Sequence, residues 1–251
     1  MQKAIAIVPA RYASSRFPGK PLVEINGKSM IMRVYEQAIK AGSLKDVYVA
    51  TDDERIFSHV TENGGKVLMT SAHHSSGTER CLEAFETLKN LGKCMSSEVI
   101  VNIQGDGPFI KPEQINALVA LFSNPEVKIA SLMKKISNPE EHTDPNCVKV
   151  VTGKHKQALY FSRASLPYIR DENAGNLKSS HTIYKHIGMY AYRSAVLQEI
   201  CRFEPTPLEQ AEKLEQLRWL GHGFTIHMEI TEHESIAIDT PADLLKVTNI
   251  T

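Results

Sequence analysis

The sequence predicts an α/β fold built on a doubly wound, mostly parallel sheet flanked by helices. Short runs rich in valine and isoleucine look like buried parallel strands, and they are AIAIV (4–8), VYVA (47–50), KVLM (66–69) and EVIVNI (98–103). Segments of helical periodicity separate these runs. Such alternation indicates right-handed crossovers, and sheets of this kind bind ligands beyond the carboxyl ends of their strands.

Three helices are predicted in this half of the chain. Ser29 is placed to cap a helix over residues 30 to about 41, which Gly42 would end. A second helix is predicted over residues 78–91, and a third begins at Pro112.

After residue 125 the pattern changes to mostly strands. The runs IASLMKKI, CVKVV, ALYFSR and HIGMYAY predict a smaller mixed-sheet lobe over about residues 126–192. This lobe would be inserted into one domain that spans residues 1–251. Within it, DENAGNLKSSH (171–181) has the composition of a loop.

The rest of the chain returns to helices. Helices are predicted over residues 194–202 and 208–221, followed by the strand FTIHMEI (224–230). A last helix begins at DTPADL, where Thr240 is the cap and Pro241 lies in the first turn.

Composition excludes several classes of function. Lys plus Arg and Asp plus Glu are both 29, so no global charge favours nucleic acid or an anionic membrane. The four cysteines form no CxxC pair, which argues against zinc and against a disulfide framework. Apolar runs are too short for a signal peptide or a membrane span. We therefore expect a soluble, cytoplasmic protein without membrane insertion.

The segment RYASSRFPGKPL (11–22) places three cations directly after the first predicted strand. It is neither a GxxxxGK[ST] loop nor a GxGxxG loop. Arg11, Arg16 and Lys20 could neutralise a triphosphate, while the backbone near Gly19 approaches it closely. A solvated basic turn explains the same composition equally well.

Two aspartates follow predicted strands. Asp106 in VNIQGDGPFI comes just after an apolar strand, and Asp239 lies between SIAI and a helix start. Mg²⁺ prefers one or two carboxylates together with substrate phosphates, although an Asp between glycines is also common in turns. With a basic loop opposite, the pair favours metal-assisted chemistry on a nucleotide.

An ordered set of motifs carries a family resemblance. The motifs are IVPARYASSRFPGKPL, ATDDERI, MTSAHHSSGTER, VNIQGDGPFI, ALYFSRASLPY, YKHIGMYAY, LEQLRWL and IDTPADL. Over essentially the whole chain they resemble the 3-deoxy-manno-octulosonate cytidylyltransferase (CMP-Kdo synthetase) family of lipopolysaccharide assembly. The resemblance implies a nucleotidyltransferase-type, Rossmann-like fold, a homodimer, Mg²⁺ dependence, and conversion of CTP and Kdo to CMP-Kdo and pyrophosphate.

The resemblance also implies the site residues. The CTP phosphates would contact Arg11 and Lys20, with Arg16 beside them. Ser76 and Gln104 would lie near the cytosine or ribose. Asp106 and Asp239 would hold Mg²⁺ and, with Lys20 and Arg11, form the catalytic set. The sugar acid would meet Arg80, Arg163, His186, Tyr190, Glu215 and Gln216, and the smaller lobe would serve sugar binding and dimer contact.

Ordinary structural roles would also explain the presence of several of these residues. His186 could be a strand histidine satisfied by a hydrogen bond, and Glu215 with Gln216 could be an exposed polar helix face. His73 and His74 have the look of a polar loop rather than a metal site.

One residue departs from the family pattern. The family commonly has QGDEP where this chain has QGDGP, so Gly107 replaces a carboxylate beside the predicted metal ligand. We expect activity to survive because Asp106 remains. Three functions stay open from the sequence: Kdo transfer, the same chemistry on 8-amino-Kdo or a sialic acid, and nucleotide binding with little catalysis.

Overall fold

The computed structural model describes residues 4–13, 17–95, 98–170, 182–234, 238 and 240–247. The helices and strands up to residue 120 are β1 (Ala4–Ala10), β2 (Glu24–Ile25), β3 (Lys28–Ser29), α1 (Met30–Ala38), β4 (Leu44–Thr51), α2 (Glu54–Glu62), β5 (Val67–Met69), α3 (Gly77–Asn90), β6 (Val99–Asn102) and α4 (Pro112–Ala120). Those that follow are β7 (Ile129–Lys135), α5 (Pro139–Thr143), β8 (Lys149–Thr152), β9 (Ala158–Ser162), β10 (Tyr184–Arg193), α6 (Ser194–Ile200), α7 (Pro207–Glu212), α8 (Gln216–Gly221), β11 (Ile226–Ile230) and α9 (Pro241–Val247).

Nine strands of the described chain form one sheet. The path across it is β11-β7-β10-β6-β1-β4-β5, and β8 and β9 branch from β10. Strands β6, β1, β4 and β5 are parallel, as are β7 and β11, whereas β10 runs antiparallel to its neighbours. The predicted α/β fold with a mostly parallel sheet is therefore confirmed.

Two apolar layers cover the faces of the sheet. Along β1, Ala4, Ala6 and Val8 face the layer that contains α1 and α4. Ile5 and Ile7 face the opposite layer, which contains Phe85, Leu88 and Trp219. The two-residue period of a strand buried on both faces explains why AIAIV is apolar throughout.

The predicted smaller lobe shares the main sheet. Strands β7 and β10 lie between β11 and β6 in that sheet, while β8 and β9 extend it as an antiparallel pair. The role of residues 126–192 in sugar binding and dimer contact stays a prediction, and the segment 171–181 lies outside the described residues.

Two helix predictions are corrected. The helix predicted over residues 208–221 is two helices, because Lys213 adopts the left-handed conformation (φ 53°, ψ 46°) and ends α7. Ser29 does stand at the cap position of α1, but its hydroxyl bonds Nε2 of His59 at 2.7 Å instead of capping the helix. The cap predicted at Thr240 is present, since its hydroxyl accepts from the amide of Asp243 at 3.3 Å.

Among the residues described, none of the helices combines the length and the apolar character that crossing a bilayer requires.

Candidate functional site

A cleft of about 220 Å³ lies where β1 and β6 end. These strands are parallel neighbours, so their carboxyl ends reach the same edge of the sheet. The residues predicted for phosphate, base and metal contacts line it together, and they are Arg11, Lys20, Ser76, Gln104 and Asp106. We call this cavity the first cleft.

Two glycines let the segments around the first cleft approach each other. A Cβ at Gly105 would lie 3.0 Å from the carbonyl oxygen of Pro9, and one at Gly77 would lie 3.2 Å from the Cγ of Pro9. A larger residue at either position would require Pro9 or its neighbours to shift by a few tenths of an ångström. The backbone of the first cleft therefore depends on glycine for close contact.

Opposite charges meet inside the first cleft. Lys20 begins a short 3-10 turn (Lys20–Leu22) after Gly19, whose φ of 71° favours glycine. Its Nζ donates to Oδ2 of Asp106 at 2.9 Å. The two side chains are only 14% and 28% exposed, so solvent screens the pair less than it screens a surface ion pair. This arrangement offers a cation for phosphate oxygens and a carboxylate for a divalent ion.

The amino end of α3 forms another wall of the first cleft. Ser76 is its cap and accepts from the amide of Glu79 at 3.2 Å, and Gly77 is the first helical residue. The free N–H groups and the dipole at the start of a helix attract anions. The positive end of this helix therefore adds to the positive charge of Lys20 and of Arg11, and Arg11 is exposed at the rim of the first cleft.

Arg80, predicted for the sugar acid, lines the first cleft as well. Its guanidinium is 4% exposed and bonds Asp52 at 3.1 Å, Thr70 Oγ1 at 2.6 Å and the carbonyl of Ser71 at 3.2 Å. A buried charge needs such partners. The structure thus groups Arg80 with the residues predicted for the nucleotide, and its contact with a sugar stays a prediction.

Glu215 lies at the break between α7 and α8 and contacts the amino end of α3 behind the first cleft. Its Oε2 accepts from the hydroxyl of Thr78 at 2.7 Å, and the hydroxyl of Ser76 also bonds this carboxylate. Burial raises the pKa of Glu215 above its ordinary value, although those two hydroxyls oppose the shift. The neighbouring Gln216 is only 4% exposed. The explanation of an exposed polar helix face is therefore wrong for Gln216.

His186 and Tyr190 lie on β10 and belong to one group of ring contacts, which also includes Trp219. Nε2 of His186 is 2.8 Å from Oγ of Ser131, and burial lowers the pKa of His186 to about 3. The histidine ring contacts Tyr190 at 5.3 Å between centroids, and Tyr190 packs edge-on against Trp219 at 5.0 Å. His186 is therefore a neutral hydrogen-bonding group at physiological pH.

A second cleft of about 590 Å³ adjoins the first. The two share Gln104 and Asp106, and His186 lines the second. Lys185, which is 9% exposed, contributes a buried ammonium there; it bonds Glu141 and, at 2.6 Å, Glu234. Sequence reasoning missed Lys185, and the one signal was its position directly before His186.

His74 was also missed as a residue of the first cleft. It lines the cleft, and its Nε2 bonds the carboxylate of Glu83, whose Oε2 also accepts from the amide of Ser71 at 2.8 Å. Adjacent histidines give no such signal in a sequence, because the partner Glu83 lies nine residues further along the chain, on α3.

The guanidinium of Arg163 donates hydrogen bonds to other residues of the chain. Its Nε donates to the carbonyl of Glu212 at 2.8 Å and its NH1 to the carbonyl of Pro145 at 3.0 Å. The family resemblance implies a sugar acid as the partner of this charge, whereas both of these contacts are main-chain carbonyls. Its contact with a sugar acid stays a prediction.

Two predicted site residues, Arg16 and Asp239, lie outside the described residues. The residue before Asp239 is described: Ile238 is fully buried and its amide donates to the carbonyl of Asp106 at 3.0 Å. No group of three or more His, Cys, Asp or Glu side chains in the described parts of the chain forms a metal centre.

Comparison with known proteins adds sequence relatives. A sequence model of the family described as Cytidylyltransferase matches residues 5–230. The chain is 52% identical over 248 residues to the 3-deoxy-manno-octulosonate cytidylyltransferase of Phocaeicola vulgatus, with 97% of this chain and 95% of the relative covered. It is 48% identical over 246 residues to the protein of the same name from Cytophaga hutchinsonii, with 98% and 96% covered.

Solved structures agree with these relatives. A CMP:2-keto-3-deoxy-manno-octonic acid synthetase complexed with CTP matches with a TM-score of 0.89 and 39% identity over 99% of this chain and 98% of that one. A putative glucose-1-phosphate thymidylyltransferase from Bacillus anthracis shares the fold alone, with a TM-score of 0.64 and 16% identity over 100% and 95%. The fold is thus of the nucleotidyltransferase type. Within this class, the chain belongs to the 3-deoxy-manno-octulosonate cytidylyltransferase family.

Proposed function

We infer that this chain transfers CMP from CTP to the anomeric hydroxyl of 3-deoxy-manno-octulosonate, giving CMP-Kdo and pyrophosphate. The observation that carries the inference is the Lys20–Asp106 pair at 2.9 Å, set in a cleft at the shared edge of β1 and β6. Family membership supplies the nucleotide and the acceptor.

The chemistry is an in-line displacement at the α-phosphorus. A bond forms between the anomeric oxygen and the α-phosphorus, the bond to the bridging oxygen of the β-phosphate breaks, and the hydroxyl proton leaves to solvent. Lys20 and Arg11 stabilise the charge that develops on the departing pyrophosphate. Holding two reactants in line contributes roughly 7 to 11 kcal/mol to such reactions. Most of the catalysis by this chain is therefore positioning and charge stabilisation.

Asp106 and Asp239 would hold Mg²⁺. The donor set fits this ion, because Mg²⁺ binds one or two carboxylates and fills its other positions with phosphate oxygens and water. Asp106 lines the first cleft, and the amide of Ile238, the residue before Asp239 in the sequence, donates to the carbonyl of Asp106. When bound, the ion would neutralise phosphate charge and lower the pKa of the attacking hydroxyl.

The acceptor side rests on His186, Tyr190, Glu215 and Gln216, which we call the acceptor cluster. Neutral His186 and the amide of Gln216 can read hydroxyl groups in both donor and acceptor roles. Glu215 also bonds Ser76 and Thr78 at the wall of the first cleft. This shared contact favours a sugar acid bound beside the α-phosphate.

Three further expectations belong to this proposal: the chain forms a homodimer, it works in the cytoplasm, and its product serves lipopolysaccharide synthesis. The resemblance supports all three. Sedimentation of the purified chain tests the first, and a species of about one chain mass would contradict it.

The reaction is tested by pyrophosphate release from CTP and Mg²⁺ with Kdo, 8-amino-Kdo or N-acetylneuraminic acid. We expect pyrophosphate release with Kdo to exceed release with the sialic acid by far. We also expect the chain to be active although it has Gly107 where the family commonly has a glutamate. Faster pyrophosphate release with 8-amino-Kdo than with Kdo would show that 8-amino-Kdo is the preferred acceptor. CTP binding without any pyrophosphate release would show that the chain binds the nucleotide but does not catalyse the transfer.

A further inference from the structure

The motif ATDDER (50–55) spans the carboxyl end of β4, next to the first cleft. Its two aspartates hold different arginines. Asp52 bonds Arg80 at 3.1 Å in the wall of the cleft, whereas Asp53 bonds Arg55 outside it. The proposed function uses Arg80 but assigns nothing to Asp53 and Arg55.

Asp53 fixes the direction of Arg55. Its Oδ1 accepts from Nε of Arg55 at 2.9 Å and its Oδ2 from NH2 at 2.7 Å. Asp53 also caps α2, since Oδ1 accepts from the backbone amide of Arg55 at 3.0 Å. A two-point bond of this kind holds the plane of the guanidinium as well as its position.

Arg55 in turn covers the ring of Tyr12. The Cζ of Arg55 lies 3.3 Å from the ring centroid. The side chain of Arg55 is 59% exposed, while Tyr12 is half-buried against the apolar layer of α1. Arg55 thus acts as an outer cover on an aromatic ring that is anchored to the sheet.

Tyr12 then contacts the turn that carries Lys20. Its carbonyl accepts from the amide of Gly19 at 2.9 Å. Its ring lies so close to Gly19 that a Cβ there would be 3.1 Å from Cζ of the tyrosine. The contact continues through Gly19, which caps the 3-10 turn, to the bond between Lys20 and Asp106.

We propose that Arg55 and Tyr12 are positioning residues which fix the Lys20 turn for the triphosphate of the nucleotide. The inference rests on the proposed function, because it concerns the same cleft. Neither residue lines that cleft, so both act through the turn and not by touching substrate. A turn ordered before binding avoids the conformational entropy that would otherwise oppose binding.

The test compares Arg55→Ala and Arg55→Lys with the natural chain. A cation–π contact at an exposed site contributes about 0.5–1 kcal/mol, or roughly two- to fivefold in an equilibrium. We expect Arg55→Ala to raise KM for CTP, and Kd for CTP by calorimetry without the sugar, about two- to fivefold. KM for Kdo should stay within twofold. Arg55→Lys keeps the cation and should recover part of the loss.

Tyr12 provides the second half of the test. Tyr12→Phe keeps the ring and should bind CTP like the natural chain, whereas Tyr12→Leu should weaken CTP binding. Because both residues act on one turn, Tyr12→Leu combined with Arg55→Ala should be no worse than Tyr12→Leu alone. Hydrogen exchange of the Gly19 amide should be at least about twofold faster in Arg55→Ala, which reports on the turn without any ligand.

Lys128→Ala is the matched control. Lys128 also lies over an aromatic ring, 6.0 Å from the centroid of Phe224, but it comes directly before β7 and neither residue lines the first cleft. The Lys128→Ala variant should leave both the Kd for CTP and the hydrogen exchange of the Gly19 amide unchanged.

The outcomes separate the two proposals. If the natural chain binds CTP and releases pyrophosphate while Arg55→Ala matches it in Kd for CTP and in Gly19 exchange, the positioning role is overturned and the function stands. If Arg55→Ala raises Gly19 exchange and the natural chain releases no pyrophosphate, the turn contact stands and the function fails. If the losses of CTP affinity caused by Tyr12→Leu and Arg55→Ala add up in the double variant, the proposal that the two residues act on one turn is also overturned.

Discussion

The first cleft and the acceptor cluster are assembled from the chain in different ways. The first cleft joins segments that follow β1 and β6 directly, with glycines that allow close approach and with opposite charges inside. The acceptor cluster needs antiparallel β10 and the break at Lys213, and its groups are neutral or hold a raised pKa. Charge is therefore the main feature of the first cleft, whereas burial and hydrogen bonding are the main features of the acceptor cluster.

The largest expected effect is in the first cleft. Lys20→Met removes the ammonium that lies 2.9 Å from Asp106 and faces the predicted triphosphate. We expect kcat/KM to fall at least about 100-fold, because a charge aimed at the departing group is lost. Pyrophosphate release measures it. Lys66→Met is the control, since Lys66 pairs with Asp46 at 2.6 Å but is 54% exposed on another surface. Equal effects of the two changes would contradict the comparison.

Asp106→Asn tests the carboxylate of the same pair. The amide keeps the shape but cannot hold a divalent ion as tightly, so kcat should fall on the order of 100-fold. The Mg²⁺ concentration for half-maximal activity should rise. Asp46→Asn, at the surface pair, should change neither quantity by more than twofold. A variant at Asp106 with full turnover at natural Mg²⁺ would remove the metal assignment.

Glu215→Gln sharpens the contrast with the acceptor cluster. We expect kcat/KM for Kdo to fall about tenfold while KM for CTP stays within twofold, since the lost charge lies on the acceptor side. Steady-state kinetics with each substrate varied in turn separates the two constants. A loss confined to CTP would place Glu215 in the nucleotide half.

The same variant makes a prediction about stability. The pKa of Glu215 is raised in the folded chain, so its contribution to stability is present at acid pH and is lost as pH rises above 4.5, the ordinary value. Glu215→Gln has no such loss. The unfolding free energy of the variant minus that of the natural chain should therefore increase with pH in urea titrations. A difference that falls with pH would contradict the burial of this carboxylate.

His186→Asn is expected to have the smallest effect. His186 has a pKa of about 3 and is already neutral at pH 6, so the pH profile of kcat/KM from pH 6 to 8 should keep its shape while its height falls about threefold to tenfold. The stabilising contribution of this lowered pKa is present above 6.5 and is lost as pH falls toward 3. A limb in the profile near pH 6.5 that disappears in the variant would show that His186 is charged in the working range.

The sequence predicts the first cleft better than the acceptor cluster for a physical reason. Asp106 comes four residues after β6, and Lys20 belongs to the segment that follows β1, so the rule for parallel sheets places both at one edge. Glu215 depends on the left-handed Lys213, which no local pattern indicates because lysine rarely adopts that conformation. Lys185 and Arg163 depend on partners far along the chain, including Glu234 and Glu212. The family resemblance named Glu215 and Arg163, but only the fold shows what each one touches.

The most direct test of the central claim is a crystal structure of this chain with CTP and Mg²⁺. We expect the triphosphate in the first cleft, within hydrogen-bond distance of Nζ of Lys20, with the ion bound to a carboxylate oxygen of Asp106. A nucleotide bound at any other surface, or an ion that Asp106 does not touch, would contradict the account.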